Sequence, residues 1–259
     1  MSVQCRRIRL HKLHGQVYNV AFVRHVVDNS RRTPSMNNFQ SVIFDMDGVI
    51  VDSHPAHRKA WHEFLQSLDK DVSDEALEFI LDGRKRSEIM RHFLGDLPES
   101  ELAELGRMKD KLFQRIALEV KPVPGVIDFV GELRRRHIKL AIATSASRSR
   151  TESTLRNLRL TDCFATVVTG DDVPEGKSSP AIFELVCARL GAEAHHSLVL
   201  EDAPPAVKAA KAAGFRCIGV AAGNGSGAKL WRAGADHVIE NFVGISLDDL
   251  EKATQAEEP

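Results

Sequence analysis

Six short apolar runs rich in β-branched residues, at positions 39–45, 138–143, 165–169, 197–200, 217–220 and 237–239, recur along the chain with helix-like stretches between most of them. Runs of this kind, too short for helices and apolar on both faces, read as buried parallel strands. The intervening segments 125–136, 151–160, 180–190 and 204–213 carry apolar residues at helical spacing. The third is closed by Gly191 and the fourth by Gly214, as helix ends commonly are. Strand, crossover helix, strand predicts an α/β fold with a doubly wound, Rossmann-like parallel sheet.

One interval breaks the alternation. Between positions 54 and 121 there is no strand signal. Pro55 suits the first turn of a helix whose Ala60, Trp61, Phe64, Leu65 and Leu68 repeat at 3.6 spacing. Further helices are expected over 74–81, 87–93 and 99–116, so this stretch reads as an inserted all-helical cap domain. Its flanks, Asp52-Ser53-His54 and 121–125, are the expected hinges. Residues 39–53 and 122–250 then form the α/β core, and 251–259 a C-terminal tail.

Residues 1–38 differ from the rest, with seven Lys/Arg against the single acid Asp28, ending in the turn-rich stretch 31–38. They are expected to be a poorly ordered basic N-terminal extension, with organelle targeting and an anion-binding arm as alternatives.

Composition narrows the function classes. In 259 residues, 35 Lys+Arg balance 36 Asp+Glu, a formal charge of -1, so no global basic field points to nucleic acid or an anionic membrane. No apolar stretch is long enough to span a bilayer. Cys5, Cys163, Cys187 and Cys217 lack metal-site or disulfide spacing, which favours a reducing cytoplasm. The expected partner is a small molecule, and the expected state a monomer or weak homo-oligomer.

Ligands of open parallel sheets bind beyond the carboxyl ends of the strands, so the residues after each run matter most. They are Asp45-Met46-Asp47-Gly48 continuing to Asp52-Ser53, then Thr144-Ser145, then Gly170-Asp171-Asp172 leading to Lys177, then Glu201-Asp202. Two carboxylates at i and i+2, hydroxyls, a lysine and an acidic pair suit a hard divalent cation, Mg2+, together with a phosphoryl group.

These motifs, in this order, resemble the haloacid dehalogenase superfamily, and within it the β-phosphoglucomutase-like branch, over positions 39–245. The resemblance rests on D-x-D-G-V-x-x-D-S from Asp45, on Ile142-Ala143-Thr144-Ser145, on Gly176-Lys177-Ser178-Ser179-Pro180, and on Leu200-Glu201-Asp202-Ala203-Pro204 followed by Ala-Ala-Lys-Ala-Ala-Gly. It implies Asp45 as the nucleophile and Asp47 as the acid/base. It further implies Thr144, Ser145 and Lys177 as phosphate ligands, and Asp45, Asp47, Glu201 and Asp202 as the Mg2+ site. Two departures stand beside these residues. Ser178-Ser179-Pro180-Ala181 replaces the usual Pro-x-Pro-Asp after the lysine, and Ala203 stands where serine is common.

The cap signals resemble the same branch less fully. His57 and Trp61 match its H-x-x-A-W region, Arg86 falls where it places a phosphate-binding arginine, and Arg148 lies near its substrate-binding lysine. The implied function is a cytoplasmic Mg2+-dependent phosphatase acting on a small phosphorylated metabolite, in the first instance a sugar phosphate, through an aspartyl phosphate. The alternatives are a sugar phosphomutase and, more remotely, a non-catalytic phosphate-binding domain.

Overall fold

The computed structural model describes residues 39–81, 83–117, 120–223 and 225–255, together with the backbone of two short strands near the N-terminus. The chain divides into two units, Met1–Met36 and Asn37–Pro259. In the first, Lys12–Leu13 pairs antiparallel with Gln16–Val17. The rest of the expected basic extension lies outside the described residues, as do Cys5 and the end of the expected tail.

The second unit is built on a six-stranded parallel sheet of β1 (Ser41–Phe44), β2 (Lys139–Ala143), β3 (Thr166–Val168), β4 (Ser197–Glu201), β5 (Arg216–Val220) and β6 (His237–Ile239). Its order is β3-β2-β1-β4-β5-β6, so β1 and β4 sit side by side at its centre. Side chains alternate across the sheet, as strand geometry requires. Val42, Phe44, Leu140, Ile142, Leu198 and Leu200 face one apolar cluster, completed by α4 (Val126–Arg135), α5 (Arg148–Asn157) and α9 (Leu247–Gln255). Ile43, Ala141, Ala143 and Val199 face the other, completed by α6 (Ala181–Leu190), α7 (Pro204–Ala212) and α8 (Gly227–Arg232). The doubly wound α/β class expected from the sequence is the observed one.

Between β1 and α4 the chain forms α1 (His54–Gln66), a 3-10 helix (Ala76–Leu81), α2 (Arg86–Leu94) and α3 (Glu99–Ile116). These pack on a third cluster around Trp61, Phe64, Leu65, Leu77 and Met90. The connectors on either side pair with each other: Val51 bridges Pro122, Asp52 N donates to Lys121 O at 2.9 Å, and Val123 N donates to Ile50 O at 3.0 Å.

Local differences from the sequence reading have local causes. The expected α-helix over 74–81 is a 3-10 turn, confined by Gly83 at φ +70°. The expected tail begins inside α9, whose stripe of Leu247, Leu250 and Thr254 is too short and polar to stand out in the sequence. Helix α8 went unread for the same reason, with Leu230 its one buried side chain.

Candidate active site

Strands β1, β2 and β4 end side by side, and register carries Phe44, Ile142 and Leu200 to the same level. The following residues therefore converge. A cavity of about 240 Å³ opens there, lined among others by Asp45, Asp47, Thr144, Ser145, Lys177 and Asp202. From the helical side it is lined by His57, Arg86 and Lys109.

The turn after β1 sets the first two carboxylates. Asp45 Oδ1 accepts from Met46 N at 2.6 Å, while Gly48 at φ +78° reverses the chain. A side chain at Gly48 would be strained by that φ and would run into the Asp202 carboxylate, with its Cβ only 2.8 Å from His54 Nε2. Only glycine lets the turn pass so close to the acidic pair.

Lys177 is fully buried, its Nζ 2.5 Å from Asp45 Oδ2 and 2.8 Å from Glu201 Oε2. A buried ammonium is tenable only when so paired. Burial would lower its pKa, but Asp45 and Glu201 outweigh this and raise it. One ammonium serves two buried carboxylates, and burial wins on the acids. It pushes Asp45 up to about 7, and Glu201 likewise to about 7, against the pull of Lys177. Glu201 also accepts from Asp202 N at 3.2 Å and Ala203 N at 3.1 Å, which fixes the turn after β4.

Asp45, Glu201 and Asp202 bring carboxylate oxygens within 4.8 Å of one another, all buried. Three buried acids side by side, with burial raising the pKa of each, suit a divalent cation with oxygen ligands. The residues therefore fit Mg2+.

Asp47 is held by a different set. Arg150 grips it with both prongs, Nη1 to Oδ1 at 2.8 Å and Nη2 to Oδ2 at 2.6 Å, and Ser53 Oγ donates to Oδ1 at 2.6 Å. Burial alone would raise the Asp47 carboxyl, but Arg150 and then His57 outweigh it and hold the group well below the usual carboxylate range.

The remaining expected residues separate. Thr144 Oγ1 accepts from Ala146 N at 3.2 Å, and Ser145 Oγ donates to Gly83 O at 2.5 Å, tying the β2 turn to the loop before α2. His57 lies 3.3 Å from Asp47 Oδ1 and stacks on Phe113, 4.3 Å between ring centres. Arg86 lines the cavity, with its guanidinium paired to Asp110 of α3. Arg148 is turned away: its guanidinium pairs with Asp172 at 2.6 Å, its side chain is 42% exposed, and Arg150, two residues on, reaches the cavity in its place.

Three groups escaped the sequence reading: His54, Lys109 and Arg150. His54 Nε2 is 2.7 Å from Asp202 Oδ2. Lys109 is 4% exposed, with Nζ 3.5 Å from His57 Nδ1 and 5.0 Å from the Trp61 ring centre. Burial and then Arg150 lower its pKa to about 7. A signal for Lys109 exists in the sequence, since it falls in the buried stripe Leu102, Gly106, Lys109, Phe113 of α3, where a lysine is out of place. Arg150 gave none beyond its charge.

Residues 42–220 match the family model of haloacid dehalogenase-like hydrolases. The chain is 33% identical over 217 residues to the phosphorylated carbohydrates phosphatase of Thermotoga maritima, covering 78% of this chain and 94% of that protein. It is 32% identical over 185 residues to the fructose-1-phosphate phosphatase YqaB of Escherichia coli, covering 70% and 96%. It is also 28% identical to the β-phosphoglucomutase of Bacillus subtilis, covering 81% and 92%. Among solved structures, CbbY from Rhodobacter sphaeroides in complex with phosphate superposes with a TM-score of 0.71 at 28% identity, covering 82% of this chain and 99% of that one.

Proposed function

The chain belongs to the haloacid dehalogenase-like hydrolase family, and on that premise we propose that it is a Mg2+-dependent phosphatase that cleaves a phosphorylated sugar through an aspartyl phosphate on Asp45. The observation that carries this reading is the buried Asp45, Lys177, Glu201, Asp202 constellation at the ends of β1 and β4. The phosphatases of Thermotoga maritima and Escherichia coli supply the substrate class.

The Asp45 carboxylate attacks phosphorus. The bond from phosphorus to the sugar oxygen breaks, and that oxygen takes its proton from the Asp47 carboxyl. Water then attacks the aspartyl phosphate, giving its proton to Asp47, and the Asp45 carboxylate is restored with release of inorganic phosphate. Lys177 and the hydroxyls of Thr144 and Ser145 hold the transferring phosphoryl group. Asp45, Asp202, Glu201 and the Asp47 backbone carbonyl would hold Mg2+, whose charge would offset the repulsion between nucleophile and phosphoryl oxygens. The helices between residues 54 and 121 act as a cap that selects the sugar and limits water.

A second reading, favoured by the similarity to the Bacillus subtilis mutase, returns the phosphoryl group to a sugar monophosphate instead of water. One assay separates them: protein, Mg2+, β-glucose 1-phosphate and a trace of glucose 1,6-bisphosphate, followed for glucose 6-phosphate and free phosphate. Phosphate release, here or from other sugar phosphates, supports the phosphatase. Glucose 6-phosphate without matching phosphate release supports the mutase. Release undiminished in Asp45→Asn protein contradicts both.

A further inference from the structure

The acid/base carboxylate is fully engaged. Asp47 Oδ1 receives Ser53 Oγ at 2.6 Å, Arg150 Nη1 at 2.8 Å and, more distantly, His57 Nε2 at 3.3 Å, while Oδ2 receives Arg150 Nη2 at 2.6 Å. A two-pronged guanidinium takes a lone pair on each oxygen of the carboxylate, and such forks are among the strongest polar contacts in proteins.

Arg150 comes from the first turn of α5, yet its guanidinium reaches across to the helical side. It lies 5.2 Å from the centre of the Phe113 ring on α3 and 3.4 Å from His57 Nε2 on α1. The phosphoryl ligands Thr144 and Lys177 lie with Asp45, beside the nucleophile. Arg150 therefore stands with Asp47 and the helical side chains, where the leaving half of a substrate must sit. Beside it, Lys109 Nζ is 4.8 Å from the same Phe113 ring and has no carboxylate ion pair among the described residues. A guanidinium with a fork geometry, beside a second buried basic side chain, in the leaving-group half of a phosphatase pocket, suits an anionic group on that half of a substrate.

We propose that Arg150 is a latch: its guanidinium passes from Asp47 to a second anionic group on the leaving half of the substrate, so that substrates with an anionic leaving group are cleaved in preference to those with a neutral one. This rests on the phosphatase reading above. The guanidinium exchanges one oxyanion for another, while Ser53 still holds Asp47 in place. A neutral leaving group offers no exchange and leaves Asp47 occupied. Arg150 is thus a specificity-determining residue supplied by the core rather than by the helical insert.

The test uses matched pairs: fructose 1,6-bisphosphate with fructose 1-phosphate, and the corresponding 1,6-bisphosphate and 1-phosphate of glucose, counting only phosphate lost from C1. Wild-type, Arg150→Met and Arg150→Lys proteins are compared. The ratio of kcat/KM for bisphosphate over monophosphate is expected to exceed about tenfold in the wild type, and to fall by about tenfold or more in Arg150→Met, mainly through KM for the bisphosphate. Arg150→Lys, which keeps the charge and loses the fork, is expected to fall between. A side chain that merely props up the site would lower kcat for both members of a pair and leave the ratio alone. Hydrolysis with a ratio unmoved by either variant overturns the latch and leaves the phosphatase standing. No phosphate release from any compound overturns both.

Discussion

His54 Nε2 stands 2.7 Å from Asp202 Oδ2, so the carboxylate best placed to hold a metal already has an imidazole beside it. Burial works against the charged ring, but Asp202 outweighs it and lifts the His54 pKa to about 9. A group whose pKa is raised by folding stabilises the fold fully below its unfolded value, near 6.5, and loses that contribution as pH climbs through 9. In metal-free protein, the difference in melting temperature between wild type and His54→Gln is therefore expected to be largest at pH 6 and to close by pH 9.5. The free energy involved is on the order of 2–3 kcal/mol. A difference constant across that range would contradict the pairing.

The acids respond in the same sense, over a lower pH window. Burial raises Asp45 and Glu201 to about 7, so ionising them costs stability, a cost absent below their unfolded values near 4 and complete above 7. A divalent cation must displace those protons to bind. The rise in melting temperature on adding Mg2+ is expected to be small at pH 5.5 and large at pH 8. An equal rise at both would mean that the cation binds elsewhere.

Phe113 is the hub of the helical side of the pocket. It is 5% exposed, stacks on His57, and lies 4.8 Å from Lys109 Nζ and 5.2 Å from Arg150 Cζ, measured to its ring centre. Phe113→Ala is expected to destabilise the protein by about 3–5 kcal/mol, through lost burial and the cavity left behind. Phe113→Leu should cost less than half of that while still removing the ring contacts. Urea unfolding of both variants checks the order.

Gly48→Ala tests the turn after β1. The φ of +78° and the collision with Asp202 both oppose a side chain. The expected cost is roughly 1–3 kcal/mol, with loss of the Mg2+-induced thermal shift. A variant that kept the full shift would show that the turn need not approach the acidic pair so closely.

What the sequence discloses follows from how local each feature is. Asp45, Asp47, Thr144, Lys177 and Asp202 were readable because each lies next to an apolar strand or a turn signal, and parallel pairing of β1, β2 and β4 brings strand ends together. Glu201 reads as part of the acidic pair, but its grip on Lys177, 24 positions away, depends on the fold between them. Lys109 is marked only by its place in the stripe of α3, Arg150 sits on a helix whose charges look like solvent-facing ones, and the packing of α1, α3 and α5 around one cavity brings both to it. Arg148 and Arg150 illustrate the limit. Two positions apart on α5, they point to different neighbours, Asp172 and Asp47, and no spacing rule distinguishes them beforehand.

The most direct test of the chemistry is to trap the covalent intermediate. Protein is mixed with Mg2+ and a hydrolysed sugar phosphate, quenched in acid within one turnover, digested, and read by mass spectrometry. The expected result is a phosphorylated peptide with the modification on Asp45, absent from Asp45→Asn protein, which should also release no phosphate. Phosphorylation of another residue, or phosphate release by Asp45→Asn at the wild-type rate, would contradict the assignment of Asp45 as nucleophile.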